Sequence, residues 1–384
     1  MGRGSFVLIE CYGFLVVTTA TVSLRHHAFF FFFEKIVCLA IESMIRRPMD
    51  ERIEIQSRRY IGSKAKLIPW IFDTIRNETA GVKSFCDIFA GTGVVANEAV
   101  KQYEKVVVND LLYSNNVIYN AFWGKGRVNG KKLLRLFDEY NSLDSLKLKP
   151  NYFSVNFGGK YFDELEAKKI GFVREDLEQR KDDLSTKEYN ILLASLIYGM
   201  DKIANTLGHY EAYIHKPIPH RSLVLKPIKY ESNKKVIIHM GDANLLARKI
   251  GTDLVYIDPP YNSRQYSRFY HVYETLVKWN KPKLVGTAMK PPLENMSEYC
   301  SARARDAMQD LVNNLRTKYI VVSYNNTYHS KSSSSENKIR LEEIQEILNS
   351  VGKTKVFEHS HQFFNAGKTE FKDHKELLFV TEVK

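Results

Sequence analysis

Cysteine is scarce in this chain. Four occur among the 384 residues, at positions 11, 38, 86 and 300, and they lie far apart. This spacing excludes a disulfide-rich scaffold and a zinc site built from CxxC pairs. The histidines at positions 209, 215, 220 and 239 match no common zinc spacing either, so we expect no bound metal. Sparse cysteine of this kind is typical of a cytoplasmic protein.

The chain also lacks an unbroken apolar segment of clear membrane-spanning length. Residues 6–45 are strongly apolar and include Phe29 to Phe33, but charged residues divide them into shorter pieces. Each piece is marginal against the roughly 20 apolar residues that a membrane helix needs, and no Ala-x-Ala cleavage site follows. One interpretation is that residues 1–48 target the protein or anchor it to a membrane. The hypothesis favoured here is that residues 1–48 are an atypical leader outside the working protein, which then starts at Met44 or Met49.

The chain has fewer acidic than basic residues. Lys and Arg total 56 against 44 for Asp and Glu, which gives a formal net charge of +12. This balance favours a polyanionic partner such as nucleic acid. Hydrophobic residues make up 44% of the chain and charged residues 26%, so a disordered tail is excluded and a large core can form.

A predicted strand, a glycine turn and a predicted helix follow one another early in the body of the protein. Residues 83–89 read as a buried strand, Gly91 and Gly93 lie in the turn, and residues 94–103 read as a helix. A second strand then ends at Asn109-Asp110. This order is typical of nucleotide-binding α/β units, where a carboxylate at the second strand end binds ribose hydroxyls. For Asp110 a helix N-cap is the alternative role.

Further along, residues 254–257 read as a short buried strand that runs into Asp258-Pro259-Pro260-Tyr261. The prolines end the strand in a rigid turn at the carboxyl edge of the sheet, where open α/β sheets bind ligands. A carboxylate and a carbonyl can accept from the two N–H groups of an exocyclic amine while a tyrosine stacks on the base. The turn therefore suits a flipped nucleobase. An ordinary proline turn with a capping aspartate is the alternative.

In this order, the motifs resemble those of the Dam-type (D12 class) adenine-specific DNA methyltransferases. They are residues 59–64 (RYIGSK), 87–93 (DIFAGTG), 109–110 (ND), 241–242 (GD) and 258–261 (DPPY). The resemblance covers about residues 56–384, with 363–365 and 375–379 similar to the final hairpin of the family. Ile88 and Ala243 depart from it, because the family often has proline and an aromatic residue at these places.

The resemblance implies a class I S-adenosylmethionine-dependent methyltransferase, an α/β fold with a Rossmann-like mixed seven-stranded sheet and an inserted target-recognition subdomain. It implies methyl transfer from S-adenosylmethionine to the exocyclic N6 of adenine in duplex DNA, by base flipping and without a covalent intermediate. The implied cofactor-binding residues are Tyr60, Lys64, Asp87, Phe89, Gly91, Gly93, Asp110, Asp242 and Asp258. The implied catalytic residues are Asp258, Pro259, Pro260 and Tyr261.

The length of chain between the two motif regions predicts an insertion at residues 111–236, with residues 49–110 and 237–384 forming the catalytic domain. Basic residues interleaved with aromatics suit DNA contact. The candidates are His209, Tyr210, Lys216, His220, Arg221, Arg264 and Arg268. For each of them, the alternative is an exposed polar side chain that does not contact DNA. A polar loop is predicted at residues 331–336.

Other chemistries are open at this point. Cytosine-N4 methylation uses a similar turn, and RNA adenine methylation or a silent regulator that only binds cofactor and DNA are further alternatives. Cytosine-C5 methylation is disfavoured because it needs an activated thiolate and no Pro-Cys motif is present. We expect double-stranded DNA as the partner, no membrane, a monomer, and a cognate restriction endonuclease that acts on the same site without direct contact.

Overall fold

The computed structural model describes residues 6–11, 14–19, 52–230, 235–326, 336–360 and 375–384. The chain divides into two compact units, Met1–Glu51 and Arg52–Lys384. In the first unit, β1 (Phe6–Cys11) and β2 (Phe14–Thr19) pair antiparallel, with Phe6 opposite Thr19. Within the described residues, no helix is both long and apolar enough to cross a membrane.

The second unit is built on a seven-stranded mixed sheet in the order β5-β4-β3-β6-β7-β9-β8. Its strands are β3 (Ser84–Asp87), β4 (Lys105–Asp110), β5 (Lys235–Met240), β6 (Leu254–Ile257), β7 (Tyr319–Asn325), β8 (Gly352–Ser360) and β9 (Lys375–Val383). Strands β3 to β7 run parallel, whereas β9 pairs antiparallel with both β7 and β8. The mixed seven-stranded sheet expected from the sequence is confirmed.

Helices cover both faces of this sheet. They are α1 (Ile68–Glu78), α2 (Val94–Gln102), α3 (Tyr113–Trp123), α4 (Gly130–Asn141), α5 (Tyr152–Phe157), α6 (Glu164–Gln179), α7 (Thr186–Ile203), α8 (Ala243–Ala247), α9 (Tyr266–Phe269), α10 (His271–Lys278), α11 (Ala304–Asn314) and α12 (Leu341–Asn349). The core on the first face includes residues of α1 to α7, α9 and α10, and the core on the second face includes residues of α8, α11 and α12.

Alternation along the strands separates the two cores. Leu254 and Tyr256 of β6 face the first core, and Val255 and Ile257 face the second. All four are buried, which is why this parallel strand reads as a continuous apolar run. Its predicted bounds are confirmed.

The segment between β4 and β5 is mainly helical. Its longest helix, α7, begins with a capping box of Ser185 and Glu188 and is buried along most of its length. The apolar residues 191–200 lie within this helix. The helices of the segment share their core with the first face of the sheet. The boundaries 111–236 and the target-recognition role stay predictions. The predicted loop at 331–335 and the predicted hairpin residues 363–365 lie outside the described residues.

Candidate active site

Three carboxylates follow the ends of three adjacent parallel strands. Asp87 ends β3, Asp110 ends β4, and Asp258 directly follows β6. Because β3 lies between β4 and β6, with Asp87 opposite Val108 and Tyr256, these ends meet at one edge of the sheet. The edge is where open α/β sheets bind their ligands.

The glycine turn follows Asp87 and connects β3 to α2. Gly91 and Gly93 both have positive φ, at 52° and 77°, which favours glycine over residues with a Cβ. The Gly91 amide donates to Asp110 Oδ2 at 2.9 Å. A Cβ on Gly93 would lie 2.8 Å from Ile55 Cδ1, whereas one on Gly91 would first meet the Tyr60 ring at 3.5 Å. Gly93 therefore serves packing, and Gly91 presents backbone to the site.

Asp87 and Asp110 differ in how their oxygens are used. Asp87 Oδ2 accepts from the Ala96 amide at 3.1 Å, while Asp87 Oδ1 is buried without a hydrogen-bond partner among the described residues. Burial, with repulsion from Asp258 and Asp110, raises the pKa of Asp87 well above its usual value. Asp110 Oδ1 accepts from the Leu112 amide at 2.8 Å. Helix α3 is instead capped by Glu274, which accepts from the amides of Tyr113 and Ser114.

Tyr60 is held as a flat aromatic surface beside Gly91. Its ring stacks on Tyr270, with centroids 4.4 Å apart and an interplanar angle of 8°. The guanidinium of the buried Arg58 lies 5.1 Å from the Tyr60 centroid and donates to Asn115 Oδ1 at 2.6 Å. The aromatic contact and the cation together fix the tilt of the Tyr60 ring.

Lys64 organises the other half of the site. Its Nζ lies 3.2 Å from Asp258 Oδ1 and 3.7 Å from Glu376 Oε2, and it donates to the Tyr261 hydroxyl at 2.7 Å. Tyr261 in turn donates to Asp258, and its ring centroid lies 4.5 Å from that of Tyr324. A buried ammonium group thus joins the RYIGSK motif to the DPPY turn and to β9.

The charges in this cluster perturb one another. Burial alone would lower the pKa of Lys64, but Asp258 and Glu376 outweigh it and the pKa is raised. Burial also raises the pKa of Asp258, against the pull of Lys64 and the hydrogen bond from Tyr261. Such shifts in a cleft are typical of functional sites.

The comparisons with known proteins identify the family. The model for D12 class N6 adenine-specific DNA methyltransferases matches residues 60–374. The chain belongs to this family. It is therefore a site-specific adenine DNA methyltransferase, with the class I S-adenosylmethionine-dependent fold that the sheet displays.

Named relatives agree with this assignment. Type II methyltransferase M.NlaIII of Neisseria lactamica is 30% identical over 328 residues, covering 82% of this chain and 95% of that protein. Type II methyltransferase M.CviAII of Paramecium bursaria Chlorella virus 1 is 30% identical over 316 residues, covering 80% and 92%. Modification methylase StsI of Streptococcus sanguinis is 34% identical over 287 residues, covering 70% of this chain and 44% of that protein.

Two further cofactor candidates of the methyltransferase lie at the rim of the site. Phe89 makes an edge-to-face contact with Tyr299, with centroids 4.9 Å apart. Asp242 is exposed and caps α8, since its Oδ1 accepts from the Leu245 amide at 2.9 Å. Asn109 donates to the carbonyls of Ile88 and Gly241 and so ties the turns that carry Phe89 and Asp242 to one another.

The DNA-contact candidates fall into distinct settings. Lys216, His220 and Arg221 are exposed. His209 stacks on Phe269 at 4.8 Å, and the Arg264 guanidinium lies 5.7 Å from the centroid of the same ring.

Arg268 and Tyr210 face the protein instead. Arg268 donates to the Pro291 carbonyl at 2.6 Å and holds the loop that contains this proline. Tyr210 is 2% exposed and packs edge to face on Tyr161 and Tyr273. The expected DNA contact by the Tyr210 side chain is corrected here, because the aromatic core surrounds it.

Sequence reasoning missed several residues of the site. The sequence pattern at residues 375–379 indicates only part of the final hairpin, yet the carboxylate of Glu376 lies in the Lys64 cluster. Glu274 lies on α10 and Tyr270 is the N-cap residue of this helix, which packs against α3, the helix that follows β4. Arg58 directly precedes RYIGSK in the sequence, but its burial is visible only in the folded chain. Among the described residues, no group of three His, Cys, Asp or Glu side chains is placed to hold a metal.

Proposed function

We propose that the Asp258 carboxylate and the Pro259 carbonyl hold the exocyclic amino group of a flipped adenine, while the ring of Tyr261 stacks on the base. The observation that carries this proposal is the Lys64 cluster, which orients Asp258 and Tyr261 together at the carboxyl edge of the sheet. Pro260 completes the rigid turn, because its ring fixes φ and removes a competing amide donor.

The residues on the other side of the edge fit S-adenosylmethionine. Asp87 Oδ1 is a buried acceptor without a partner among the described residues, so it can receive a cationic amino group. Gly91 lets the cofactor approach the backbone, Asp110 accepts from ribose hydroxyls, and the Tyr60 ring offers a flat contact. Lys64, Phe89 and Asp242 complete the proposed site, and Gly93 supports it by shaping the turn through packing. The cofactor supplies an electrophilic methyl group.

The protein's own contribution is orientation and charge. The lone pair of the adenine amino nitrogen is delocalised into the ring, so acceptors at Asp258 and Pro259 favour a more tetrahedral, nucleophilic nitrogen. Holding this nitrogen in line with the methyl group removes most of the entropy of encounter. The Asp258 carboxylate also favours the positive charge that passes to the amino nitrogen, which then releases one of its N–H protons to water. No covalent enzyme intermediate is needed.

The exposed side chains of Lys216, His220 and Arg221, with His209 and Arg264 at the Phe269 ring, are the proposed DNA contacts. Several relatives are named type II methyltransferases. We infer from this that the enzyme acts in the cytoplasm, as a monomer, beside a restriction endonuclease of the same site specificity that it does not contact.

The test incubates the protein with unmethylated DNA of mixed sequence and S-adenosylmethionine and maps the modified bases by single-molecule sequencing. We expect N6-methyladenine in one recurring sequence. Asp258→Ala should abolish transfer while calorimetry still detects cofactor binding. Near-normal turnover of Asp258→Ala would remove this residue from the mechanism.

A further inference from the structure

Glu376 is a buried carboxylate whose role the DPPY and RYIGSK motifs do not explain. It lies on β9 opposite Asn325 of β7. Strand β7 is in turn the neighbour of β6, the strand that precedes the DPPY turn. Its side chain is 8% exposed. An uncompensated buried carboxylate is unfavourable, so its presence beside the active site needs a reason.

The geometry around Lys64 supplies that reason. The ammonium group has three N–H donors. Its Nζ lies 2.7 Å from the Tyr261 hydroxyl, 3.2 Å from Asp258 Oδ1 and 3.7 Å from Glu376 Oε2. The last distance is within ion-pair range but too long for a hydrogen bond. Glu376 Oε2 accordingly has no hydrogen-bond partner among the described residues.

One cation is thus shared by two carboxylates. If Lys64 and Asp258 were alone, the pair would be neutral and Asp258 would attract the adenine amino group weakly. With Glu376 also ionised, two negative charges and one positive charge leave a net charge of −1. In a water-poor site this charge acts strongly on the positive charge that develops at the amino nitrogen.

We propose that Glu376 is a positioning residue for methyl transfer: acting through Lys64, it leaves the Asp258 carboxylate available to the adenine amino group and keeps the cluster net negative. This rests on the proposed role of Asp258. The groups that face Glu376 are Lys64, Asp258, Tyr261 and Tyr256.

The ionisation of Glu376 makes the proposal testable by pH. Burial raises the pKa of this carboxyl from 4.5 to about 7, with Asp258 adding to the shift and Lys64 opposing it. The methyl-transfer rate of the wild-type protein should therefore rise with pH through about 7. Protonation below that pH makes the cluster neutral and has the same effect on charge as removing the carboxylate.

The experiment measures single-turnover methyl transfer between pH 5.5 and 8.5, with saturating DNA and S-adenosylmethionine, for the wild type and three variants. Glu376→Gln should lower the rate at pH 8 on the order of tenfold or more and lose the rise near pH 7. Glu376→Asp, which keeps the charge, should restore part of both. Glu382→Gln on the same strand is the matched control, because Glu382 is exposed, and its profile should match the wild type.

Stability gives a readout without turnover. Because the pKa of Glu376 is higher in the folded than in the unfolded chain, the folded protein binds an extra proton between these values. Its contribution to stability is present below pH 4.5 and is lost as the pH rises through about 7. Relative to the wild type, Glu376→Gln should therefore gain melting temperature as the pH rises from 5 to 8. Glu274, whose pKa is also raised to about 7 by burial, remains in both proteins and cancels in the comparison.

Several results would overturn the inference. A wild-type rate and pH profile in Glu376→Gln would show that the carboxylate is dispensable, and a slow variant that keeps the wild-type pH profile would assign Glu376 to packing alone. If Asp258→Ala were active, the proposed site itself would fail. An inactive Asp258→Ala beside an unaffected Glu376→Gln would reject only the role of Glu376.

Discussion

Gly91→Ala separates cofactor binding from folding, because the two glycines of the turn differ in their surroundings. A Cβ at Gly91 first meets the Tyr60 ring at 3.5 Å, an ordinary contact, so the folded protein has room for it. The backbone φ of 52° adds strain of about 1–2 kcal/mol for an alanine. The new methyl group would occupy space where the proposed cofactor approaches the backbone. An overpacking penalty of about 1–3 kcal/mol corresponds to a roughly 5- to 150-fold weaker Kd.

Two other glycines provide the controls. Gly81 also has positive φ, at 66°, but nothing lies within 4 Å of its added Cβ, so Gly81→Ala reproduces the strain without a contact. At Gly93 an added Cβ would lie 2.8, 3.1 and 3.2 Å from Ile55, Tyr119 and Trp123. Gly93→Ala should therefore lower the melting temperature more than either of the other two variants.

The assay is titration calorimetry with S-adenosylmethionine, combined with thermal unfolding of the same samples. We expect Gly91→Ala to weaken binding while its melting temperature falls about as much as that of Gly81→Ala. Gly81→Ala should bind the cofactor as the wild type does. Unaltered affinity in Gly91→Ala would refute the reasoning and place the cofactor away from this turn.

Further variants test the surface, the core and the sheet. The double variant Lys216→Ala/Arg221→Ala should reduce the slope of log affinity for DNA against log salt by about 2, whereas Lys353→Ala on β8 should leave it unchanged; equal slopes in both would contradict the proposed DNA surface. Tyr210→Ala should destabilise the fold by about 3–5 kcal/mol, measured by denaturant unfolding, because it opens a cavity in the aromatic core; an unchanged midpoint would argue that the ring is not packed as described. Asp253 accepts from two amides and the Ser84 hydroxyl and pairs with Lys318, and these contacts hold its pKa far below the usual value despite partial burial. The stabilising effect of the ionised Asp253 should therefore be present above the unfolded pKa and be lost as the pH falls. Asp253→Asn should lower the melting temperature strongly at pH 7 and much less in strong acid. Equal losses of melting temperature at both pH values would rule out this linkage.

The buried cluster around Lys64 brings together motifs that lie far apart in the chain. Lys64 precedes α1, Asp258 follows β6, and Glu376 lies on β9, so three separate elements contribute one charge each. Lys64 offsets part of the negative charge of the two carboxylates, which makes their burial tolerable. Removal of Lys64 would leave two negative charges beside the base-binding turn, whereas removal of Glu376 would leave the neutral pair of Lys64 and Asp258.

Local sequence patterns determined much of this protein. The sequence patterns at residues 83–89, 105–108 and 254–257 indicate strands, and the glycine and proline turns indicate where the first and third of them end. Since the carboxyl ends of parallel strands share one edge, strand type places Asp87 and Asp258 at the same edge, and the sheet order then makes their strands neighbours. The order of the motifs was enough to indicate the family.

Tertiary structure decided which side chains face one another across elements distant in sequence. Glu376 reaches Lys64 only because β9 inserts antiparallel between β7 and β8. Tyr210 belongs to the core because α10 packs Tyr273 against it. Hydrophobic periodicity reports which face of an element is buried, but not which neighbour covers that face. The partner of a buried charge or ring is set by strand pairing and helix packing, and these were visible only in the folded chain.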